Sequence, residues 1–202
     1  MSMLRSGLRE YGRVVVVLST GVLFLVLGRY ESIGRDWADS LVFYGGLPLA
    51  AVLLMRRNPL DFGLRIGEWR VWVPYVLVTC AVALPILYGA SRIESLSSYY
   101  TLSGFDLGHY APRIIVELAA WEVMFRGYLL FGLSDRFKEG SILVQMVPFV
   151  LMHLGKPQLE TISTIPMGLY LGWVAYRGNS FWPAAIIHIF INITFRVFAN
   201  WV

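Results

Sequence analysis

Charge is scarce in this chain. Only 15% of its 202 residues are Asp, Glu, Lys or Arg, while 57% are apolar and the mean hydropathy is +0.62. That balance excludes an ordinary soluble domain, which could not bury so many long uncharged stretches. Cysteine is nearly absent. The one thiol, Cys80, excludes an internal disulfide and implies no oxidising compartment. Lying in an apolar stretch, it reads as a small packing residue. No basic run is interleaved with aromatics, so no nucleic-acid partner is indicated. The net charge of +4 reads instead as a record of membrane orientation. There is no internal repeat and no low-complexity segment.

What remains is a series of apolar runs. A spanning helix needs about 20 mostly apolar residues. The sequence predicts seven, over 11–30, 39–55, 71–90, 112–133, 141–154, 163–176 and 180–201, the fifth and sixth being short. The expected fold class is therefore an all-α polytopic transmembrane bundle forming one membrane domain, 1–202. The first run follows Arg5, Arg9 and Arg13 as a signal peptide would, but it has no small-x-small cleavage site and reads as a retained helix. With alternate loops assigned to opposite sides, Arg5, Arg9, Arg13, Arg56, Arg57, Arg65, Arg70, Arg136, Lys138 and Arg177 fall on one side. Arg29, Arg35, Arg92, Arg113 and Lys156 fall on the other. The richer side is expected to be cytoplasmic, together with the amino terminus. The loop RRNPLDFGLRIGEWR, residues 56–70, reads as a cytoplasmic interfacial loop, with docking of a substrate or partner as its sharper reading.

Chemistry must come from polar groups within apolar runs, where each is costly enough to need a reason. The fourth run holds Glu122 and Arg126, four apart on one helix face and so able to pair. The fifth ends at His153, and the seventh holds His188 and Asn192, again four apart. Taken singly, these are a structural ion pair, packing histidines and interhelical glue. Converging, they would form a site for general-base activation of water or for a metal. The third histidine, His109, reads as a solvated loop residue. Gly168-x-x-x-Gly172 reads as a packing motif within or between chains.

At these residues the chain resembles the CAAX prenyl endopeptidase and bacteriocin-processing proteins, also called Abi or CPBP intramembrane proteases. That family carries Glu-Glu-x-x-x-Arg, Phe-x-x-x-His and His-x-x-x-Asn motifs on successive membrane helices. Here they read Trp121-Glu122-Val-Met-Phe-Arg126, Phe149-Val-Leu-Met-His153 and His188-Ile-Phe-Ile-Asn192. Gly127-Tyr128 and the Asp61-Phe62-Gly63-Leu64 loop also look like the family. The likeness spans roughly 56–192, with a motif-bearing core of about 112–202. Order, spacing and placement make the set specific where each motif alone is weak.

The resemblance implies an all-helical fold with a polar cavity inside the bilayer. It implies an endopeptidase whose Glu and histidines activate a water, with Asn192 and His188 stabilising the oxyanion. Its partners would be the lipid bilayer and a peptide or membrane-protein substrate, lipidated in some members. Zinc is compatible with two His and one Glu but is not required. Trp121 stands where the family has its leading Glu, the residue usually assigned as base. Glu122, beside Arg126, is a poor replacement, because a nearby cation reduces its basicity. Glu160, just beyond the helix break expected at Pro157, is favoured narrowly over Glu117 as the alternative base. Glu160 also suits a first helical turn, where a carboxylate complements the dipole.

Other classes fit less well. Gly89-Ala90-Ser91 looks superficially like a rhomboid serine motif, but Arg92 follows it. A transporter with mid-membrane charges would be expected to repeat its first half in its second. A non-catalytic relative acting as a scaffold or immunity protein is the principal alternative. The orientation is checked with a cysteine at Ser2 or Asn58 in a Cys80→Ala background. Either is expected to resist an impermeant thiol reagent in intact cells, and ready labelling from outside would reverse the topology.

Overall fold

A computed structural model of the chain describes the backbone of residues 2–201 and the side chains of residues 11–201. The side chains of Arg5 and Arg9, used above for orientation, lie outside the described residues. The described chain is all-helical, with no strand. Its helices are α1 (Ser2–Tyr30), α2 (Asp36–Leu54), α3 (Trp69–Ala90), α4 (Glu94–Tyr100), α5 (107–137), α6 (Gly140–Leu151), α7 (Gln158–Gly178) and α8 (Trp182–Trp201). Two of these widen into π-helical turns, α2 over Leu41–Gly46 and α5 over Val123–Phe131.

Four helices are long and apolar enough to cross a membrane: Tyr11–Tyr30 within α1, then α2, α3 and α8. Much of their apolar side-chain surface is exposed, including Val22 and Leu23 on α1 and Leu77 and Val78 on α3. The three other expected runs lie on α5, α6 and α7, none of which meets the same standard. Glu117, Glu122 and Arg126 sit within α5. The 12 residues of α6 reach only about 18 Å, short of the hydrocarbon thickness. Ser and Thr run through the first half of α7. For α5, burial accounts for this difference. From Met124 to Leu133 every residue of α5 is buried, so the other helices shield it on all sides.

Small residues bring α6 and α7 together. A Cβ on Gly168 would stand 2.9 Å from the Phe149 ring, and one on Gly172 would stand 2.6 Å from Nε2 of Gln145. The Gly-x-x-x-Gly motif is thus used within the chain, against α6. Between α6 and α7 the helix stops as Pro157 requires: His153 to Lys156 form turns, and α7 begins at Gln158. Cys80 is partly buried and packs on the core formed by α3, α5, α7 and α8.

Part of the 56–70 loop is folded onto this core. A short 3-10 turn, Pro59–Phe62, buries Phe62 to 1% exposure and stacks its ring on Tyr128 at 6.0 Å. Leu60 and Ile66 stay exposed. Gly127 admits the loop, since a Cβ there would meet the Phe62 carbonyl at 3.1 Å. Farther along, the Glu68 amide donates to the Gly178 carbonyl at 2.8 Å, and the Ser180 hydroxyl donates to the Arg65 carbonyl at 2.6 Å.

Gly67 makes that junction possible. Its φ of +65° is left-handed, and a Cβ there would lie 2.1 Å from the Gly178 carbonyl oxygen. Left-handed strain alone costs about 1–3 kcal/mol, before the clash with backbone is counted. Gly67→Ala is expected to lower the thermal midpoint in detergent by at least about 2–4 °C. Gly89→Ala, where a Cβ meets nothing within 4 Å, is expected not to lower it.

Candidate active site

Glu122 and Arg126 lie where α5 passes from α-helical to π-helical turns, a distortion often found at functional sites. Both are fully buried. Nη1 of Arg126 donates to Oε1 of Glu122 at 2.8 Å, so the pair expected from the spacing is formed. The guanidinium also stands 4.1 Å from the centre of the Phe149 ring on α6, and its Nη2 reaches the Gly168 carbonyl of α7 at 3.4 Å. One ion pair on α5 therefore gathers α6 and α7 around it.

His188 completes this cluster from α8. Its Nδ1 lies 2.7 Å from Oε1 of Glu122. Arginine stays protonated in proteins, and Glu122 is its counter-ion, so the carboxylate only accepts. In its neutral form the His188 ring must then carry its proton on Nδ1, which leaves the Nε2 lone pair free. The same reasoning holds for His153, whose Nδ1 lies 2.8 Å from the Phe149 carbonyl, an acceptor without a proton. Both imidazoles are thus held in the tautomer that presents a basic Nε2. They flank one ring: Phe149 lies 4.7 Å from the His153 ring and 5.9 Å from the His188 ring.

The other expected residues have partners of their own. Asn192, one turn beyond His188, accepts from the Tyr110 hydroxyl at 2.5 Å through Oδ1. Glu160 stands in the first turn of α7. Its Oε1 accepts from the Tyr100 hydroxyl at 2.6 Å and pairs with Lys156 at 3.0 Å, while its Oε2 is buried without a partner. Glu117 is partly buried on α5, and Lys156 and Asp36 are near enough to act on its charge. The carboxylate that hydrogen-bonds a histidine is therefore Glu122, rather than Glu160 or Glu117. Trp121 stands beside His153, its ring 5.9 Å from the imidazole and 5.4 Å from Tyr44, with its indole N–H buried and unpartnered. His109 is exposed near Asp106, as expected, but it stands in the first turn of α5 rather than in a loop.

A zinc site does not fit these donors. Among the described residues no three of His, Cys, Asp and Glu gather as a metal-holding group. The Glu122 oxygen that faces His188 is already shared with Arg126. A small apolar pocket lies elsewhere, against the 3-10 turn, lined by Val52, Phe62, Leu64, Val123 and Tyr128 among others, and no motif residue lines it.

Sequence reasoning missed Tyr100, Tyr110, Lys156 and Arg196. A signal for Arg196 was present in the four-residue spacing of His188, Asn192, Arg196 and Asn200 on α8. Tyr100 comes from the separate helix α4, and Tyr110 from the start of α5, ahead of the run expected over 112–133. The ion pair yields a direct test of stability. Arg126→Met leaves a buried carboxylate without its cation and is expected to cost about 3–5 kcal/mol in equilibrium unfolding. Glu122→Gln retains an acceptor for both partners and is expected to cost less.

Comparison with known proteins falls on the same segment. No curated protein and no solved structure matches the chain. The family model described as type II CAAX prenyl endopeptidase Rce1-like matches residues 106–194, just under half of the chain. The segment that carries all three motifs is thus matched to the Rce1-like family of type II CAAX prenyl endopeptidases, the family whose pattern those motifs resemble.

Proposed function

We propose that the chain is an intramembrane endopeptidase in which His188, held by Glu122, activates the attacking water. The observation that carries this reading is the 2.7 Å contact between His188 Nδ1 and the fully buried Glu122 carboxylate. An orienting carboxylate behind an imidazole is the arrangement that general-base histidines use. In this reading a water gives one proton to His188 Nε2 and attacks the peptide carbonyl carbon. The second water hydrogen is held by His153 Nε2. Asn192 Nδ2 donates to the oxygen that becomes negative. The proton on His188 then passes to the leaving amine as the C–N bond breaks. Glu122 stays ionised throughout, balanced by Arg126, which removes the need for the family's leading Glu.

Several wider expectations belong to the same reading. The helices α5, α6 and α7 would join the four apolar spans in a bundle of seven, enclosing a polar cavity at mid-membrane. The amino terminus would lie in the cytoplasm, and the substrate would be a peptide or membrane protein, lipidated or not. Glu160 is the second candidate base: its Oε2 is buried without a partner.

One observation favours a second reading. Trp121 fills the place of the family's leading Glu, directly beside His153. An indole cannot take a proton from water, so a non-catalytic relative acting as a membrane scaffold or immunity protein would tolerate it.

Purified protein in detergent, given internally quenched peptides and a farnesylated peptide ending in a CAAX sequence, separates these readings. Cleavage is expected, with kcat reduced about 10²–10⁴-fold by His188→Gln and nearly unchanged by Glu117→Gln. Loss of turnover in Glu160→Gln, with His188→Gln still active, would move the base to Glu160. No cleavage of any peptide by the unmodified protein would favour the non-catalytic reading.

A further inference from the structure

The polar stripe of α8 continues beyond the motif. After His188 and Asn192 come Arg196 and Asn200, one turn apart. Arg196 Nη1 and Asn200 Nδ2 both donate to the Tyr100 carbonyl, at 2.5 Å and 3.1 Å. The Arg196 guanidinium also stands 5.0 Å over the Tyr110 ring and lies against its hydroxyl. A guanidinium only donates, so it favours the Tyr110 oxygen as acceptor and directs the phenolic hydrogen away from itself. The group on the other side of that hydroxyl is Oδ1 of Asn192, at 2.5 Å.

This chain has a direction, and the direction bears on Asn192. A primary amide can sit in either of two flipped orientations with nearly the same shape. One presents NH2 to a reacting carbonyl oxygen. The other presents lone pairs, which would repel the developing negative charge. Simple packing would accept either flip, because Tyr110 could donate to the oxygen or accept from the nitrogen. Arg196 removes the second choice.

We propose that Tyr110 is a positioning residue, its hydroxyl pinning Asn192 Oδ1 so that Nδ2 is the group turned toward the His188 side of the site. The proposal rests on the reading of Asn192 as the oxyanion donor. It also has a content of its own, the fixed orientation of one amide. Holding a donor in place before the reaction is how such a group lowers a barrier without reorganising during it. Arg196 acts one step further out, by polarising the hydroxyl it touches.

Two measurements on the full-length protein decide it. The first is hydrogen exchange of the Asn192 side-chain amide in 15N-asparagine-labelled protein in detergent, its signals identified by their loss in Asn192→Ala. Tyr110→Phe is expected to speed that exchange about tenfold, the equivalent of one hydrogen bond. Arg196→Lys, which keeps a cation beside the ring, is expected to have a smaller effect. The second is turnover of whichever quenched peptide the wild type cleaves. Tyr110→Phe is expected to lower kcat about tenfold with KM unchanged, because only the transition state carries the oxyanion. Unchanged amide exchange would overturn the proposal however active the protein is. Faster exchange with an unmoved kcat in an active enzyme would overturn it as well. Absence of cleavage by the wild type would defeat the endopeptidase reading, while the exchange measurement would still decide whether Tyr110 holds the amide.

Discussion

A charge buried inside a protein must bring its counter-ion with it, and the fully buried Glu122–Arg126 pair is where this chain meets that demand. Removing one member of a buried pair typically costs about 3–5 kcal/mol, so the surroundings must be built to keep both. The rest of the bundle follows from that need. The pair sits on α5, the helix buried all round from Met124 to Leu133. Phe149 of α6 lies under the guanidinium, and the Gly168 carbonyl of α7 faces it. Gly168 and Gly172 let α6 approach closely enough to make those contacts. Even so, Glu122 Oε2 and Arg126 Nε are left without partners, unlike most buried polar atoms.

The two histidines are prepared in the same way from different elements. His188 gives its Nδ1 proton to a carboxylate on another helix, and His153 gives its own to a carbonyl one turn back in α6. Neither arrangement needs a metal to hold the ring. Around them the site is closed by contacts that the motifs do not mention. Tyr100, at the end of the short helix α4, bonds Glu160 through its hydroxyl and Arg196 and Asn200 through its carbonyl. It thereby links the start of α7 to the end of α8. The 56–70 loop fastens the opposite end, with Phe62 against Tyr128 and Gly67 against Gly178. Gly127-Tyr128 and the Asp61-Phe62-Gly63-Leu64 loop, far apart in sequence, are thus two halves of one contact.

Much of this was legible in the sequence. Composition alone determined that the chain is a membrane protein, because so little charge cannot cover a soluble surface. The helical repeat determined the Glu122–Arg126 pairing and the alignment of His188 with Asn192, since residues four apart must share a face. Pro157 determined where α6 and α7 separate. The glycine spacing identified a close helix contact, though not its partner. These features depend on near neighbours in the chain, and local geometry is nearly the same in every helix.

Only the tertiary structure decided which carboxylate meets which histidine. Glu160 follows His153 by seven residues yet bonds Tyr100 and Lys156, while Glu122, 66 residues from His188, takes its Nδ1. The same is true of Tyr110 on Asn192 and of Phe62 beneath Tyr128. It is true also of the burial of α5, whose Glu122 and Arg126 are covered by the neighbouring helices. Contacts between helices depend on crossing angles and on which small residues permit close approach. Those are set by the packing of the whole bundle, and no periodicity within one helix encodes them.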